Sequence, residues 1–332
     1  MKTNSPSSFG NFAATGLLAG VCLLFTFGCA GTQHSQSPKR VLVVGTTTGF
    51  RHSSIPTAEK VLGELAQQSG AFTVDYVHQP EGKPSGPQKP KTLKADATEA
   101  EKQAFKAAED NFNKDQAAFE VVEAKWMETL KLALMKLSPE SLKNYDAVIF
   151  ANTTGDLPLP DRQAFLDWIK AGHSFVGMHS ASDTFHGFPP FIEMLGGEFL
   201  THGAQVEVDA INQDNQCPAC RHLPGSWKVF DEIYLLKNFD RSKVHGLLTL
   251  DKHPNNKTPG DYPISWCKQY GQGRVFYTSL GHREDIWDGN TAPSLQRKNP
   301  PEVSAAYQKH ILGGITWALG LAKGDATPQH PK

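Results

Sequence analysis

Short runs of almost wholly apolar residues alternate along the chain with segments of helical periodicity, and this alternation limits the fold more than any other feature. The apolar runs include residues 40–45, 146–151 and 174–178. Between the last two lies an amphipathic segment, residues 161–171, which Gly172 ends. Strands that are apolar on both faces, and that helices separate, are typical of a parallel sheet covered on both sides. We therefore predict an α/β protein.

The same pattern predicts most of the remaining elements. The expected segments are helices at 56–69 and 302–321 and strands at 72–77, 244–250, 264–270 and 273–280. The run KQYGQGR at 268–274 is typical of a hairpin turn and joins the last two strands.

A long charged segment interrupts the alternation. Residues 79–91 are rich in proline, glycine and lysine and predict a loop, after which Thr98 and Glu101 have the spacing of a helix-capping box. A single apolar stripe on a charged helix requires a covering surface. Two interpretations stay open for the helix at 98–137: an insertion at about 80–137 that packs on its own domain, or a contact with a second copy or a partner. The stripe repeats every seven residues, at Phe105, Phe112, Phe119 and Trp126.

Composition and charge exclude several classes of protein. The 332 residues include 33 lysines and arginines against 34 aspartates and glutamates, which gives a net charge of −1. A chain without excess positive charge has no field that attracts nucleic acid, so no nucleic-acid partner is expected. With 39% hydrophobic and 20% charged residues, the composition is that of a globular protein whose core can do without disulfide bonds.

The N-terminal segment has the features of an export signal. An apolar run at 16–28 is too short to span a membrane comfortably, and Cys29 and Ala30 follow it. A small residue directly before a cysteine resembles the lipobox of bacterial lipoproteins. We therefore expect a signal peptide of lipoprotein type at 1–28, lipidation of Cys29 and a tether at 29–39. The expected location is the bacterial cell envelope, with the chain anchored to a membrane and facing the periplasm. An uncleaved anchor and a secreted protein are the alternatives.

Two further cysteines lie close together in a polar loop. Cys217 and Cys220 form the sequence CPAC, and an oxidising compartment predicts a local disulfide between them. A redox-active pair normally opens a helix after a strand, and a zinc site needs more ligands than the nearby His222, so both of these alternatives are weaker. Cys267, in the apolar run ISWCKQY, is interpreted as a buried thiol of the core.

Polar residues cluster where the predicted strands end. In an open parallel sheet, ligands bind beyond the carboxyl ends of the strands, so residues in these loops are expected to face one crevice. Histidine exchanges protons near neutral pH, and a neighbouring carboxylate orients it or acts as a base. The loops of this kind are at 49–52, 152–156, 179–183 and 281–285.

Several of these runs together resemble the ThuA-like, or trehalose-utilisation, family. They are GFRHSSIP, YDAVIFANTTGD, FVGMHSASDTF, ISWCKQYGQGRVFYTSLGH and HILGGITWALG. Their order and spacing agree with the family over about residues 40–320, apart from the insertion and the CPACRH loop. The resemblance implies a flavodoxin-like, doubly wound, mostly parallel sheet, as in class I glutamine amidotransferases. It places a ThuA-like domain at 40–321 and a tail at 322–332.

Comparison with the amidotransferases implies that this chain does not hydrolyse glutamine. Their nucleophile elbow is Gly-x-Cys-x-Gly, whereas the matching run at 177–181 has His179 where the thiol would stand. His282 and Glu284 match the His-x-Glu partner of that thiol. Without the thiol, glutamine hydrolysis through a thioester cannot proceed, and Cys267, inside a predicted strand, is no substitute. The chain is therefore not expected to be a glutamine amidotransferase.

The resemblance instead implies carbohydrate chemistry, with 3-keto-disaccharides as the expected substrates. A 3-keto group acidifies the proton at C2, so a lyase, hydrolase or isomerase could act through an acid and a base. The alternative is a non-catalytic sugar-binding or interaction module. The residues expected to be catalytic are His52, His179, Asp183, His282 and Glu284. The residues expected to bind the sugar are Phe50, Arg51, Asn152, Thr153, Asp156, Ser180, His202 and Trp287.

No cofactor is predicted, although one metal interpretation stays open. Imidazole and carboxylate groups at His52, His179, His202 and Asp183 are of the types that bind a divalent cation. The sequence has no HxH or HExxH spacing in support of such a site.

Overall fold

A computed structural model of the chain describes residue 10, residues 37–290 and residues 296–329. The compact unit that carries the sheet begins at Pro38. The predicted signal peptide, Cys29 and most of the predicted tether lie outside the described residues. None of the helices in the described ranges is long and apolar enough to span a membrane.

The elements of this unit follow the predicted alternation in its first half. Its strands are β1 (Lys39–Val44), β2 (Phe72–Val77), β3 (Ala147–Ala151), β4 (Ser174–Met178), β5 (Glu198–His202), β6 (Val206–Asn212), β7 (Ser226–Asp231), β8 (Tyr234–Lys237), β9 (His245–Lys252), β10 (Pro259–Tyr270) and β11 (Gly273–Thr278). Its helices are α1 (Ile55–Ser69), α2 (Glu99–Ala133), α3 (Pro139–Leu142), α4 (Arg162–Lys170), α5 (Pro189–Leu195), α6 (Glu284–Trp287) and α7 (Pro301–Ala318). Nine strands form one sheet in the order β2-β1-β3-β4-β11-β10-β9-β6-β7, and β5 pairs with β8.

One half of the large sheet is parallel, and its strands other than the edge strand β2 are largely apolar on both faces. Strands β2, β1, β3, β4 and β11 lie side by side in the same direction. In β1, Val41 and Val43 pack into one core cluster, whereas Leu42 and Val44 pack into the other. Because successive side chains of a strand point to opposite faces, the sheet is covered on both sides. This confirms the predicted α/β, flavodoxin-like fold.

Beyond β11 the sheet continues in antiparallel strands. The predicted hairpin is present, with Tyr270 of β10 opposite Gly273 of β11. Strands β6 and β7 were not predicted, because buried and exposed residues alternate along them. In β6, for example, Glu207 and Asp209 are exposed while Val208 between them is buried. A strand with one solvated face has no apolar run to mark it.

The inserted helix α2 packs on its own unit only near its C-terminal end. It begins with the predicted capping box, in which Thr98 and Glu101 bond each other's backbone N–H groups. Trp126 and Leu130 are buried, and the Trp126 indole donates to the Pro80 carbonyl at 3.3 Å. The aromatic residues nearer the start of the helix, which are Phe105, Phe112 and Phe119, are half-buried.

The predicted disulfide between Cys217 and Cys220 is not present, because both residues carry free thiols. The two residues form a tight turn, in which the Cys220 N–H donates to the Cys217 carbonyl at 2.9 Å. Both side chains belong to the same apolar core cluster as Cys267. Burial raises the pKa of Cys217 to about 11, so the thiol stays protonated at neutral pH. The interpretation of Cys267 as a buried core thiol agrees with its position.

Candidate functional site

His179 lies at the sharp turn directly after β4. Its backbone has a φ of 45°, in the left-handed region that few residues other than glycine adopt, and its side chain is fully buried. Its Nδ1 lies 2.8 Å from the Ser279 carbonyl. Because a carbonyl only accepts, Nδ1 carries the proton and the Nε2 lone pair points away from this partner. Burial, followed by the neighbouring histidines, holds the pKa of His179 well below its usual value.

His52 reaches the same point from the loop after β1. Its Nε2 lies 3.2 Å from Nε2 of His179, and its Nδ1 lies 3.2 Å from the Ser180 hydroxyl. Desolvation, reinforced by the charge of His282, lowers the pKa of His52 to about 4. His52 and His179 are therefore neutral imidazoles at physiological pH.

His282, from the loop after β11, completes a group of three imidazoles. Its Nδ1 lies 3.3 Å from Nε2 of His179 and 3.1 Å from Oε2 of Glu232. Burial alone would lower the pKa of His282. The hydrogen bond to Glu232 and the charge of that carboxylate outweigh the burial, so the pKa is raised.

Glu232 is the member of the site that the sequence analysis missed. It directly follows β7 and is nearly buried. Its Oε2 lies 3.9 Å from Nε2 of His179, and its Oε1 lies 3.0 Å from Nδ1 of His202. The one signal for it in the sequence is a pair of acidic residues, Asp231 and Glu232, after the alternating run SWKVF. We refer to His52, His179, Glu232 and His282 as the imidazole–carboxylate cluster.

Asp231 holds the loop that carries His282. It is fully buried, and its carboxylate accepts the backbone N–H groups of Gly281 at 2.7 Å, Arg283 at 3.2 Å and His282 at 3.4 Å. Desolvation raises the pKa of Asp231 to about 6, although these backbone hydrogen bonds oppose the shift. The two adjacent acids thus have different tasks, since one positions a loop and the other contacts the imidazoles.

Of the two carboxylates predicted to support the histidines, one has another partner. Asp183 was expected to assist His179, but its carboxylate is paired with His186, which also contacts Glu198 at 2.5 Å. The carboxylate near the His179 ring is instead that of Glu232, at 3.9 Å from its Nε2. Glu284 starts the short helix α6 and acts on His282 through its charge, which favours the protonated imidazole.

Two of the residues predicted to bind sugar lie at the solvent side of the cluster. Phe50 is 68% exposed, and its ring meets the His52 ring edge-on at 4.9 Å. His202 is 44% exposed and contacts Glu232. Ser180 is buried against His52. These three residues and the cluster are therefore brought together, as the sequence analysis expected.

Other predicted sugar ligands instead hold the loops in place. The Arg51 guanidinium donates to the Gly45 carbonyl at 2.7 Å, and the Asn152 amide donates to the Gly281 carbonyl at 2.8 Å. The remaining three have partners of their own. Thr153 bonds Thr184 at 2.8 Å, Asp156 pairs with Arg162 at 3.5 Å, and Trp287 donates to the Gly281 carbonyl at 2.8 Å.

The expectation that Trp287 stacks on a sugar is wrong. The indole is fully buried and packs edge-on against Tyr307, with 5.1 Å between the ring centroids. Both of its faces are enclosed by the core that α7 covers, so a ligand cannot reach them.

The four side chains of the cluster have donor atoms suited to a cation. One nitrogen from each histidine and one oxygen of Glu232 all lie within 4.8 Å of one another. Two of the residues predicted for a metal, His52 and His179, belong to this set. The other two do not, since His202 lies on the far oxygen of Glu232 and Asp183 is paired with His186.

Comparisons with known proteins identify relatives of this chain. A family model named ThuA and described as trehalose utilisation matches residues 90–298. A ThuA-like protein from Parabacteroides merdae is similar in structure, with a TM-score of 0.55 and 20% identity over 89% of this chain and 94% of the other. A ThuA-like protein from Bacteroides uniformis has a TM-score of 0.51 and 16% identity over 87% and 94%. No curated protein matches the chain.

Proposed function

The chain belongs to the ThuA family, and on that premise we propose that it is a carbohydrate-acting enzyme whose reaction centre is the imidazole–carboxylate cluster. The family's description, trehalose utilisation, supports a sugar substrate. The observation that carries the proposal is the convergence of three histidines from three separate loops on Glu232. Titratable groups gathered in this way, with strongly shifted pKa values, are characteristic of reaction centres. A groove that only binds sugar does not need them.

The chemistry proposed is a lyase, hydrolase or isomerase reaction of a 3-keto-disaccharide. Removal of the C2 proton gives an enediolate, from which the glycosidic bond at C1 can be eliminated or the sugar isomerised. Such a reaction needs one group that moves a proton and others that stabilise an oxyanion. His202 contacts Glu232 and is partly exposed, so it is placed for proton transfer, whereas His282 contacts the other oxygen of Glu232 inside the cluster. His52 and His179 lie deeper, where the oxyanion would form.

The exposed ring of Phe50 supplies a surface on which a sugar could rest. Aromatic rings offer a large apolar face at little conformational cost. Phe50 contacts His52 directly, so a sugar stacked there would lie against the cluster.

Glutamine amidotransferase activity is not part of the proposal. The turn after β4 carries His179, and the cysteines within the described residues, which are Cys217, Cys220 and Cys267, are buried in the core. Thioester chemistry needs an accessible thiolate, so none of these thiols suits it.

We further propose that the protein is exported and anchored by a lipid on Cys29. The support comes from the sequence, in which a short apolar run ends directly before this cysteine. Fractionation of cells that express the wild type and Cys29→Ala tests this proposal. The wild type should be found with membranes and the variant should not, and equal membrane association of both would contradict it.

Incubation with a panel of 3-keto-glycosides, read by mass spectrometry, tests the enzymatic proposal. Turnover should be lost in His179→Ala and in His282→Ala. The matched control is His173→Ala, because His173 lies at the opposite end of β4 from His179. Turnover that survives in both site variants would overturn the proposed centre. Saturable sugar binding without any product would show a binding module instead of an enzyme.

A further inference from the structure

We propose that His52, His179, Glu232 and His282 bind one divalent transition-metal ion, with Zn²⁺ as the ion that fits best. The inference deepens the proposed function and depends on it only for the substrate on which the ion acts. Two of the four ligands, His52 and His179, are among the metal ligands considered from the sequence, whereas Glu232 follows β7, a strand that the sequence did not predict.

Three of the six distances between the donor atoms are close to those around a tetrahedral ion, and all six are within 4.8 Å. With bonds of about 2.0–2.1 Å, four tetrahedral ligands lie about 3.3 Å apart. Nε2 of His179 lies 3.2 Å from Nε2 of His52 and 3.3 Å from Nδ1 of His282. Oε2 of Glu232 lies 3.1 Å from Nδ1 of His282 and 3.9 Å from Nε2 of His179. The four ligand atoms surround a common point, and their separations leave room for a cation between them.

In two of the three histidines, the nitrogen that does not face this point is held by another group. Nδ1 of His179 is bonded to the Ser279 carbonyl, so its proton is on the side away from the cluster. Nδ1 of His52 lies against the Ser180 hydroxyl. Metal-binding histidines in proteins are oriented in this manner, with the second ring nitrogen bonded to a carbonyl, carboxylate or hydroxyl. Asp231 fixes the backbone of the loop that carries His282.

The donor types select the kind of ion. Three imidazole nitrogens and one carboxylate oxygen, without a thiolate, suit Zn²⁺ and its neighbours among the first-row metals better than Mg²⁺ or Ca²⁺, which prefer oxygen. The ion's task would be to polarise a carbonyl or hydroxyl oxygen of the sugar. His202 stays outside the ligand set. Its Nδ1 contacts Oε1 of Glu232 at 3.0 Å and the Gly203 carbonyl at 2.9 Å, so it faces the carboxylate oxygen that is not a ligand.

Metal content of the purified full chain, prepared without a histidine tag, tests the inference. After incubation with zinc and removal of unbound ion, elemental analysis should find about one zinc per chain. His282→Ala and Glu232→Gln should bind zinc at least about 100-fold more weakly, since each removes a ligand. The matched control, His202→Ala, removes a neighbouring imidazole outside the ligand set and should keep one zinc per chain.

A second measurement keeps the inference testable if a ligand variant fails to fold. Cobalt added to the stripped wild type should give the visible absorption of a tetrahedral site, and added zinc should abolish that absorption and raise the melting temperature. Wild-type protein that binds less than about a tenth of an equivalent of either ion would overturn the inference. Turnover that persists after complete removal of metal would overturn the catalytic task given to the ion while leaving the proposed enzyme intact. One zinc per chain without turnover of any sugar would uphold the metal site and reject the proposed substrate.

Discussion

Nδ1 of His282 lies 3.1 Å from Oε2 of Glu232, so the loop after the parallel strand β11 meets the end of the antiparallel strand β7. The contact links a loop of the parallel half of the sheet to a loop of the antiparallel half. It gives the crevice at the parallel strand ends a carboxylate that the parallel strands themselves do not supply.

Replacing this carboxylate by an amide should remove most of the activity. Glu232→Gln keeps the shape of the side chain but loses the negative charge that His202 and His282 contact, so turnover should fall by about 100-fold or more. Steady-state kinetics measure the effect. Glu207→Gln is the matched control, because Glu207 lies on the exposed face of β6 and pairs with the exposed Lys228. Equal turnover of the two variants would contradict the role given to Glu232.

Asp231→Asn should damage both stability and turnover. The amide has one acceptor oxygen in place of two, so the N–H groups that Asp231 now accepts cannot all be satisfied. We expect the free energy of unfolding to fall by about 1–3 kcal/mol and kcat to fall more than KM changes, because the loop of His282 shifts. Urea denaturation and kinetics measure both effects. Asp209→Asn, at an exposed site on β6, should change neither. An Asp231→Asn variant with wild-type stability would contradict the assigned role.

Phe50→Ala should weaken substrate binding and leave the fold intact. The ring is exposed, so its removal should change the free energy of unfolding by less than about 0.5 kcal/mol. A lost stacking contact of about 1.4 kcal/mol would raise KM about tenfold. Leu132→Ala, which removes an equally exposed side chain from α2, is the control. If KM rises no more for Phe50→Ala than for this control, Phe50 does not contact the sugar.

Stability should depend on pH through a buried histidine outside the site. His310 is fully buried, and desolvation lowers its pKa from 6.5 to about 4. Between these values the unfolded chain binds a proton that the folded chain does not, so stability is lost as the pH falls. From pH 7 to pH 5 this residue alone should reduce the free energy of unfolding by about 2 kcal/mol.

The variant His310→Asn tests that assignment. An asparagine amide can still donate to the Ala219 carbonyl, which Nδ1 of His310 now contacts at 2.9 Å, but it does not titrate. The difference in unfolding free energy between pH 7 and pH 5 should therefore shrink by about 2 kcal/mol relative to the wild type. Urea denaturation at both pH values gives the comparison, and an unchanged difference would exclude His310 as the source.

The parallel half of the fold could be predicted because most of its strands are buried on both faces. Residues 72–77 and 174–178 were placed as strands with the bounds that the structure has. Because ligands bind beyond the ends of parallel strands, the sequence also predicted that His52, His179 and His282 lie close together. A strand that is buried on both faces is a run of apolar residues, and such a run can be recognised in a sequence.

The rest of the site could not be predicted, because no apolar run or similar pattern in the sequence marks its residues. Glu232 follows β7, whose residues alternate between buried and exposed, so no apolar run marks the strand or the position of its end. Trp287 was misassigned because sequence alone does not distinguish an indole on a surface from one enclosed by a helix. Asp183 stands near His179 in sequence, but the left-handed turn at His179 separates the two side chains.

The left-handed backbone of His179 has a consequence for how this fold changes its chemistry over evolutionary time. The turn presents whatever residue stands at its apex to the crevice, and the strands on either side of it are fixed by the core. Exchange of one side chain, a thiol for an imidazole, can therefore replace one reaction by another without rebuilding the scaffold. A substitution at this turn can therefore change the reaction, provided that the surrounding loops supply partner groups for the new side chain.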